Sequence, residues 1–213
     1  MKQSEKTKNT YNKILQSAIE EFGENGYDNA SLNTICTKYS ISKGLIYHNF
    51  KNKDELYLCV VESCFTNLVK YLKKGDYSNG NVWENMKRLL TLRQEFFEKF
   101  KNYRNIFFGV VLSPPNHLIG EIQNIRKEYD LFNIEIFKEL LKNVKLREGI
   151  TEEMAISYFL AYQEMFNGYF QNKICKSEDL QLIVKEHDSK LLPILDVMLY
   201  GIASEKDEND TNK

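Results

Sequence analysis

Apolar side chains recur along this chain at three- and four-residue intervals, the period of an amphipathic helix, nearly from end to end. Ile14, Ala18 and Phe22 fall at i, i+4 and i+8 with Leu15 and Ile19 beside them. Glu20, Glu21 and Glu24 take the opposite side, and Asn25-Gly26 is expected to end this first helix. Ser31 is placed to cap a short second helix holding Leu32, Ile35 and Cys36, and Ser42 to cap a third that Ile46 and Phe50 anchor inward. Asn52, with Glu55 three positions later, reads as a capping-box variant. It opens a long fourth helix through Leu56, Val60, Cys64, Leu68 and Leu72. The run Lys74 to Gly80 is turn-rich and is the best candidate for a domain boundary. Beyond it, Asn81 caps a helix from Val82 to about Lys101, and Tyr103 to Leu112 forms a shorter one. Ser113-Pro114-Pro115-Asn116 breaks the chain, and Leu118 to Leu146 reads as one long helix. Gly149 stops it, and Thr151 with Glu152 and Glu153 starts the next, which runs to about Lys173. Ser177-Glu178-Asp179 begins the last helix, ending near Gly201, and the polar tail 204–213 is expected to be disordered. Proline occurs only at 114, 115 and 193, and no Asn-Gly or Asp-Gly hairpin joins two alternating segments. The fold class is therefore all-α.

Composition narrows the possible partners. The chain has 213 residues, 42% of them hydrophobic, enough for one large domain or two unequal ones. Charged residues make up 28% but balance to a net charge of −1, which excludes a uniformly basic nucleic-acid coat; any charge for binding DNA must be local. Residues 1–60 hold eight lysines against seven acids, and Lys38, Lys43, Lys51 and Lys53 cluster around the turn between the second and third helices. The four cysteines, at 36, 59, 64 and 175, show no CxxC spacing, and no targeting peptide precedes them. They read as reduced thiols of a cytoplasmic protein, with Cys36 and Cys59 filling core space. No apolar run approaches the ~18 residues of a membrane span. Metal-ligand clusters, catalytic triads, phosphate-binding loops and paired acids are all missing, so neither a cofactor nor a metal is expected. An enzyme built on Cys175 or His187 would lack a recognisable nucleophile–base pair.

Residues 40–57, Ser-Ile-Ser-Lys-Gly-Leu-Ile-Tyr-His-Asn-Phe-Lys-Asn-Lys-Asp-Glu-Leu-Tyr, are the most informative stretch. A tight turn leads into a short helix whose exposed face must carry lysines, hydroxyls and a glycine, as a helix-turn-helix presents its recognition helix. Around it stand Ile14, Ala18 and Phe22, then Gly26-Tyr27, Ser31-Leu32 and Ile35, then Ile41-Ser42-Lys43-Gly44, Tyr47, Phe50, Lys53, Glu55 and Leu56. In these residues the segment 10–57 resembles the N-terminal domain of TetR/AcrR transcriptional regulators. There are two departures. Ser40 stands where the family usually has a turn glycine, and Leu45 where it often has threonine.

A recognition helix needs an N-terminal face that can approach base edges, and Gly44 removes the side chain that would hold the backbone away. Lys43 can reach guanine O6/N7 or a phosphate, and Leu45 can pack on a thymine methyl. Ser42, Tyr47 and His48 are placed to donate to phosphates, a role the resemblance also gives Tyr47. Lys53 adds its charge to helix-terminal amides that favour an anion, and Ser31 would act similarly at the second helix. The first arginine is Arg88, so bidentate arginine readout is unavailable and a lysine-led reading of an AT-biased site is expected.

The resemblance implies a second, larger helical domain for ligand binding and dimerisation, with the dimer interface on its last two helices and a small-molecule pocket within. Tyr158 to Phe170 and Leu191 to Leu199 are apolar around most of a helix, as segments covered on two sides must be. Tyr103, Phe107, Gln163, Glu164 and Asn167 are the candidate effector contacts, the last three being polar residues set in an aromatic run. Gln163, Glu164 and Asn167 would equally suit a solvent-facing side. The expected organisation is a DNA-binding helix-turn-helix at 1–52, a connecting helix at 53–75, an effector-binding and dimerisation domain at 76–203 and the tail. The expected function is that of a homodimeric repressor, released from a palindromic double-stranded DNA operator by a small-molecule effector. An activator or an effector-independent regulator of the same fold is the alternative, and a helical interaction module a more distant one.

Overall fold

The computed structural model describes residues 3–142, 144–174 and 180–200, with 3–7 described by backbone alone. These form α-helices α1 (Gln3–Asn29), α2 (Leu32–Lys38), α3 (Lys43–Asn49), α4 (Lys53–Leu72), α5 (Val82–Lys99), α6 (Lys101–Leu112), α7 (Ile119–Leu141), α8 (Glu152–Ile174) and α9 (Leu180–Tyr200). A 3-10 turn, Asn116–Leu118, follows the double proline. No strand occurs among the described residues, and no helix there is long and apolar enough to cross a membrane. The chain divides into two compact units, 1–78 with 88–136, and 79–87 with 137–213, the division falling within α5 and α7. The start of the last helix expected at 177–179, Cys175 and the tail 204–213 lie outside the described residues.

In the first unit α1, α4 and α6 pack together. The apolar stripe of α1 is buried as its spacing requires, with Ile14 and Ala18 fully covered and Phe22 2% exposed. Gly26 (φ +70) breaks the regular helix inside α1, as only glycine does cheaply. Along α4 the i, i+4 series Leu56, Val60, Cys64, Leu68 and Leu72 is buried throughout. The Cys64 thiol donates to the Tyr103 carbonyl (3.4 Å), and burial pushes its pKa well up. Phe107 packs against Phe97 (4.9 Å), Phe108 (5.3 Å), Phe65 (5.5 Å) and Tyr129 (5.8 Å). Where α1 meets α6, an added Cβ at Gly23 would lie 2.6 Å from Asn102 Cβ and 2.8 Å from its Cα. Asn105 Nδ2 donates to the Gly23 carbonyl there at 2.8 Å.

One acid departs from the expected pattern. Glu21 does not face water with Glu24; it is 2% exposed, and its Oε1 accepts the Ser31 backbone N–H at 3.0 Å. That N–H precedes the first turn of α2 and has no helical acceptor, so a carboxylate brought in on α1 satisfies it.

In the second unit α8 and α9 pack against each other. Phe159, Tyr162, Phe166 and Phe170 form the buried side of α8, and Phe137 stacks on Phe159 at 4.2 Å. His187 of α9 is buried against the rings of Phe166 (4.7 Å) and Phe170 (5.1 Å). The other side of α8 leaves Tyr158, Met165 and Tyr169 more than half exposed, and α9 exposes Leu182 and Val197. Helix α7 ends at Leu141 rather than Leu146. Val144 N–H instead donates to Leu141 O (3.0 Å), closing a turn in a stretch with no buried apolar residue to hold another helical turn inward. Gly149 (φ +80) then redirects the chain, and Thr151 Oγ1 caps α8 by accepting from Met154 N–H (3.1 Å).

Candidate nucleic-acid interface

Helices α2 and α3 are each only seven residues long, so their caps and the turn between them fix the geometry. Ser31 Oγ accepts from Asn33 N–H (3.2 Å), and Ser42 Oγ from Leu45 N–H (3.3 Å). The end of α2 is a Schellman arrangement. Ile41 N–H donates back to Cys36 O (3.0 Å), with Ser40 at φ +52 in the left-handed position usually filled by glycine. Ser40 is the one non-glycine with positive φ among the described residues. Ile41, Ile46 and Phe50 are buried beneath α3, which pins the helix by one side.

The opposite side of α3 faces outward. Lys43, Gly44, Leu45, Tyr47 and His48 are all exposed, Leu45 by 38% and Tyr47 by 49%. A Cβ at Gly44 would meet nothing within 4 Å, so the fold itself does not require glycine there. No carboxylate pairs with Lys43 among the described residues. The acids Glu20, Glu21 and Glu24 of α1 are engaged elsewhere: Glu24 with Lys38 (2.8 Å), Glu20 with the Tyr39 hydroxyl (2.8 Å), and Glu21 with Ser31. The face therefore offers an uncompensated ammonium, free hydroxyls and bare backbone at a helix N-terminus, which suits a polyanion that must be approached closely.

Lys53, at the first position of α4, is held by the fold. Its Nζ donates to Asp28 O (3.3 Å) and lies 4.5 Å from the centre of the Tyr27 ring. Asn52 Oδ1 caps α4 by accepting from Glu55 N–H (2.9 Å), while Glu55 reaches one residue further back, to Lys51 N–H (2.5 Å). The Tyr27 hydroxyl donates to Asp54 and lies 3.2 Å from His117 Nε2, which is itself 3.4 Å from Asp54 Oδ1. The hydrogen bond from Tyr27, and then His117, hold the Asp54 carboxyl below its ordinary range, while burial and Asp54 push the Tyr27 hydroxyl up to about 12. His117 lies in the 3-10 turn after the double proline. It is ninety positions from Tyr27, and no local pattern could have joined them.

The expected effector contacts fall in both units. In the first, Tyr103 bonds with the Ser63 hydroxyl (2.8 Å) and lines a cleft of about 590 Å3 with Gln16, Asn67 and Phe100, whereas Phe107 is an aromatic core residue. In the second, Glu164 is exposed, Gln163 is half-buried, and Asn167 Oδ1 lies 3.3 Å from His187 Nε2.

Residues 14–60 match the bacterial regulatory proteins of the tetR family. The biofilm operon icaADBC HTH-type negative transcriptional regulator IcaR of Staphylococcus epidermidis is 26% identical over 188 residues, covering 85% of this chain and 96% of that protein. The fold resembles FadR of Bacillus subtilis, a transcriptional regulator solved with stearoyl-CoA (TM-score 0.64, 18% identity, 91% of this chain and all of that one). It also resembles a TetR family regulator of Agrobacterium tumefaciens (TM-score 0.61, 13% identity, 88% of this chain and 98% of that one). The head at 14–60 thus matches the tetR family, the outer face of α3 within it is open, and the likeness to these transcriptional regulators runs well beyond the head.

Proposed function

We propose that the chain acts, without catalysis, as a cytoplasmic homodimeric repressor that grips a palindromic operator and leaves it when a small molecule binds. In this reading residues 1–52 read DNA, 53–75 connect, and 76–203 dimerise and receive the effector. The observation that carries it is the face of α3. Gly44 is exposed with open space beyond its Cα, and Lys43, Leu45, Tyr47 and His48 surround it, with the caps Ser31 and Ser42 and the anchored Lys53 as phosphate contacts. Two such faces about 34–36 Å apart would enter successive major grooves. Exposed Tyr158, Met165 and Tyr169 on α8, with Leu182 and Val197 on α9, support dimerisation through those helices. Repression follows the relative IcaR, a negative regulator, and a small-molecule effector follows the resemblance to FadR, solved with stearoyl-CoA. Without an arginine before Arg88, the operator should be AT-biased.

A gel shift on an operator found by selection from a random pool tests this. Lys43→Ala and Tyr47→Ala should abolish retention with fold and dimer intact. Gly44→Ala should weaken retention while leaving the thermal melt unchanged or raised, because the methyl meets only solvent in the free protein. Wild-type retention by all three, or a GC-rich core, would refute the assignment of the reading face. A monomer by sedimentation at micromolar concentration would remove the dimer.

A further inference from the structure

The second unit holds a half-open cavity of about 410 Å3, within the range typical of small-molecule sites. It is bounded by the start of α5, the end of α7, the loop that follows, the first turns of α8 and the end of α9. Its walls are mostly hydrocarbon, with Val82, Phe137, Leu141, Ile150, Met154 and Met198 among them.

The charged groups on its lining are two, Lys145 and Arg147, and both are cations. They stand two residues apart on the α7–α8 loop and are exposed. Among the described residues no carboxylate pairs with either. Two tight turns hold the loop that carries them: Val144 N–H to Leu141 O and Ile150 N–H to Arg147 O, each 3.0 Å, with Gly149 at φ +80 completing the second. The polar Asn81 is committed to its own helix. Its Oδ1 accepts from Glu84 N–H and Glu84 Oε2 accepts from Asn81 N–H, each 2.9 Å.

A mostly apolar lining disfavours water-loving ligands, and two unpaired cations on one loop select the sign of any head group left at the rim. We propose that this cavity binds a soluble amphiphilic anion. The hydrocarbon or ring portion would lie between the end of α7 and the start of α8, and a carboxylate, phosphate or sulfonate would be held by Lys145 and Arg147. Binding stands on the cavity alone. That occupancy changes operator affinity rests on the regulator reading above.

Three probes sharing a ten-carbon chain, each kept below its micelle or solubility limit, separate the contributions by calorimetry on the full chain: decanoate, decanol and decyltrimethylammonium. Decanoate should bind at least about ten times more tightly than decanol, and the ammonium more weakly than either. The double variant Lys145→Gln/Arg147→Gln, whose side chains are solvent-exposed, should lose that preference while still taking up decanol. Ala155→Trp, which fills the chamber, should abolish uptake of all three, and the charge variant keeps the test decisive if that protein misfolds. Equal binding of the three probes, no binding, or retention only on phosphatidylglycerol vesicles would overturn the proposal. A gel shift with and without decanoate is read separately. Binding with unchanged operator affinity would support the site and overturn its regulatory role, whereas failure of DNA binding without probe would count against the regulator reading.

Discussion

Replacing Gly23 by alanine sets two effects of opposite sign against each other. Alanine in a helix interior normally stabilises by about 1 kcal/mol relative to glycine. Here the new Cβ would sit 2.6 Å from Asn102 Cβ and 2.8 Å from its Cα, and one of those atoms is backbone that cannot swing aside. Carbon atoms rest at roughly 3.5–4.0 Å, so α1 and α6 must part by about 1 Å. Overpacking of this kind costs about 1–3 kcal/mol. The same separation stretches the 2.8 Å bond from Asn105 Nδ2 to Gly23 O, forfeiting roughly 0.5–1.5 kcal/mol. The steric cost wins, and the net loss should be about 2 kcal/mol. For a chain of this size that lowers Tm by roughly 4–8 °C. Far-UV circular dichroism melts at one fixed protein concentration measure it, since association would otherwise move Tm. Gly109→Ala, also within a helix but with nothing within 4 Å of the added carbon, is the control; it should gain about 0.5–1 kcal/mol. If Gly23→Ala melts at or above wild type, α1 and α6 do not meet at that point and the packing argument fails.

Ser40→Gly should stabilise by about 0.5–1 kcal/mol, the left-handed penalty of serine less the extra freedom of glycine in the unfolded chain; an unchanged urea midpoint would refute the strain at φ +52. The Asp54 carboxyl titrates below its unfolded value, so its contribution is present above about pH 4 and drains away as pH falls through the lower folded pKa. Asp54→Asn should therefore lose less stability than wild type between neutral and strongly acid pH, and parallel urea midpoints for the two proteins would discount the Tyr27–Asp54 bond. Burial pushes Tyr11, Tyr27, Tyr77 and Tyr162 up to about 12, and Tyr57 higher still. The unfolded chain gives up those protons near pH 10, so stability should fall as pH rises from about 10 to 12. The share of the tyrosinate absorbance carried by these five of the thirteen tyrosines should then rise together with loss of helix, and full ionisation of all thirteen near pH 10 with helix intact would contradict the burial.

What could be read from the sequence is what short-range physics decides. Ser31, Ser42, Asn52, Asn81 and Thr151 each cap the helix their spacing announced, because a cap is settled within three residues. The buried stripes of α1 and α4 follow from periodicity alone. Long-range geometry was hidden. Nothing local marks Glu21 as the acceptor for Ser31, Gly23 as a helix crossing, or His117 as a neighbour of Tyr27 and Asp54. Helix α7 stops short of Leu146 although Leu140, Leu141 and Val144 continue a helical spacing, because no apolar residue from 144 to 146 is buried against a partner surface. For the candidate site, the residues of the α3 face were nameable from their pattern. The loop cations Lys145 and Arg147 were not, since a cavity wall drawn from four helices has no signature in one stretch of chain.

The seam between α1 and α6 carries a practical corollary. A peptide cut after Leu72 would keep every side chain named for gripping DNA, yet it would strip the covering from the back of α1 and remove the imidazole beside Asp54. Such a fragment should be sticky and loosely folded, so this reading end cannot be transplanted as a free-standing cassette. A chimera that keeps its grip must carry residues 101–118 along with the first 72.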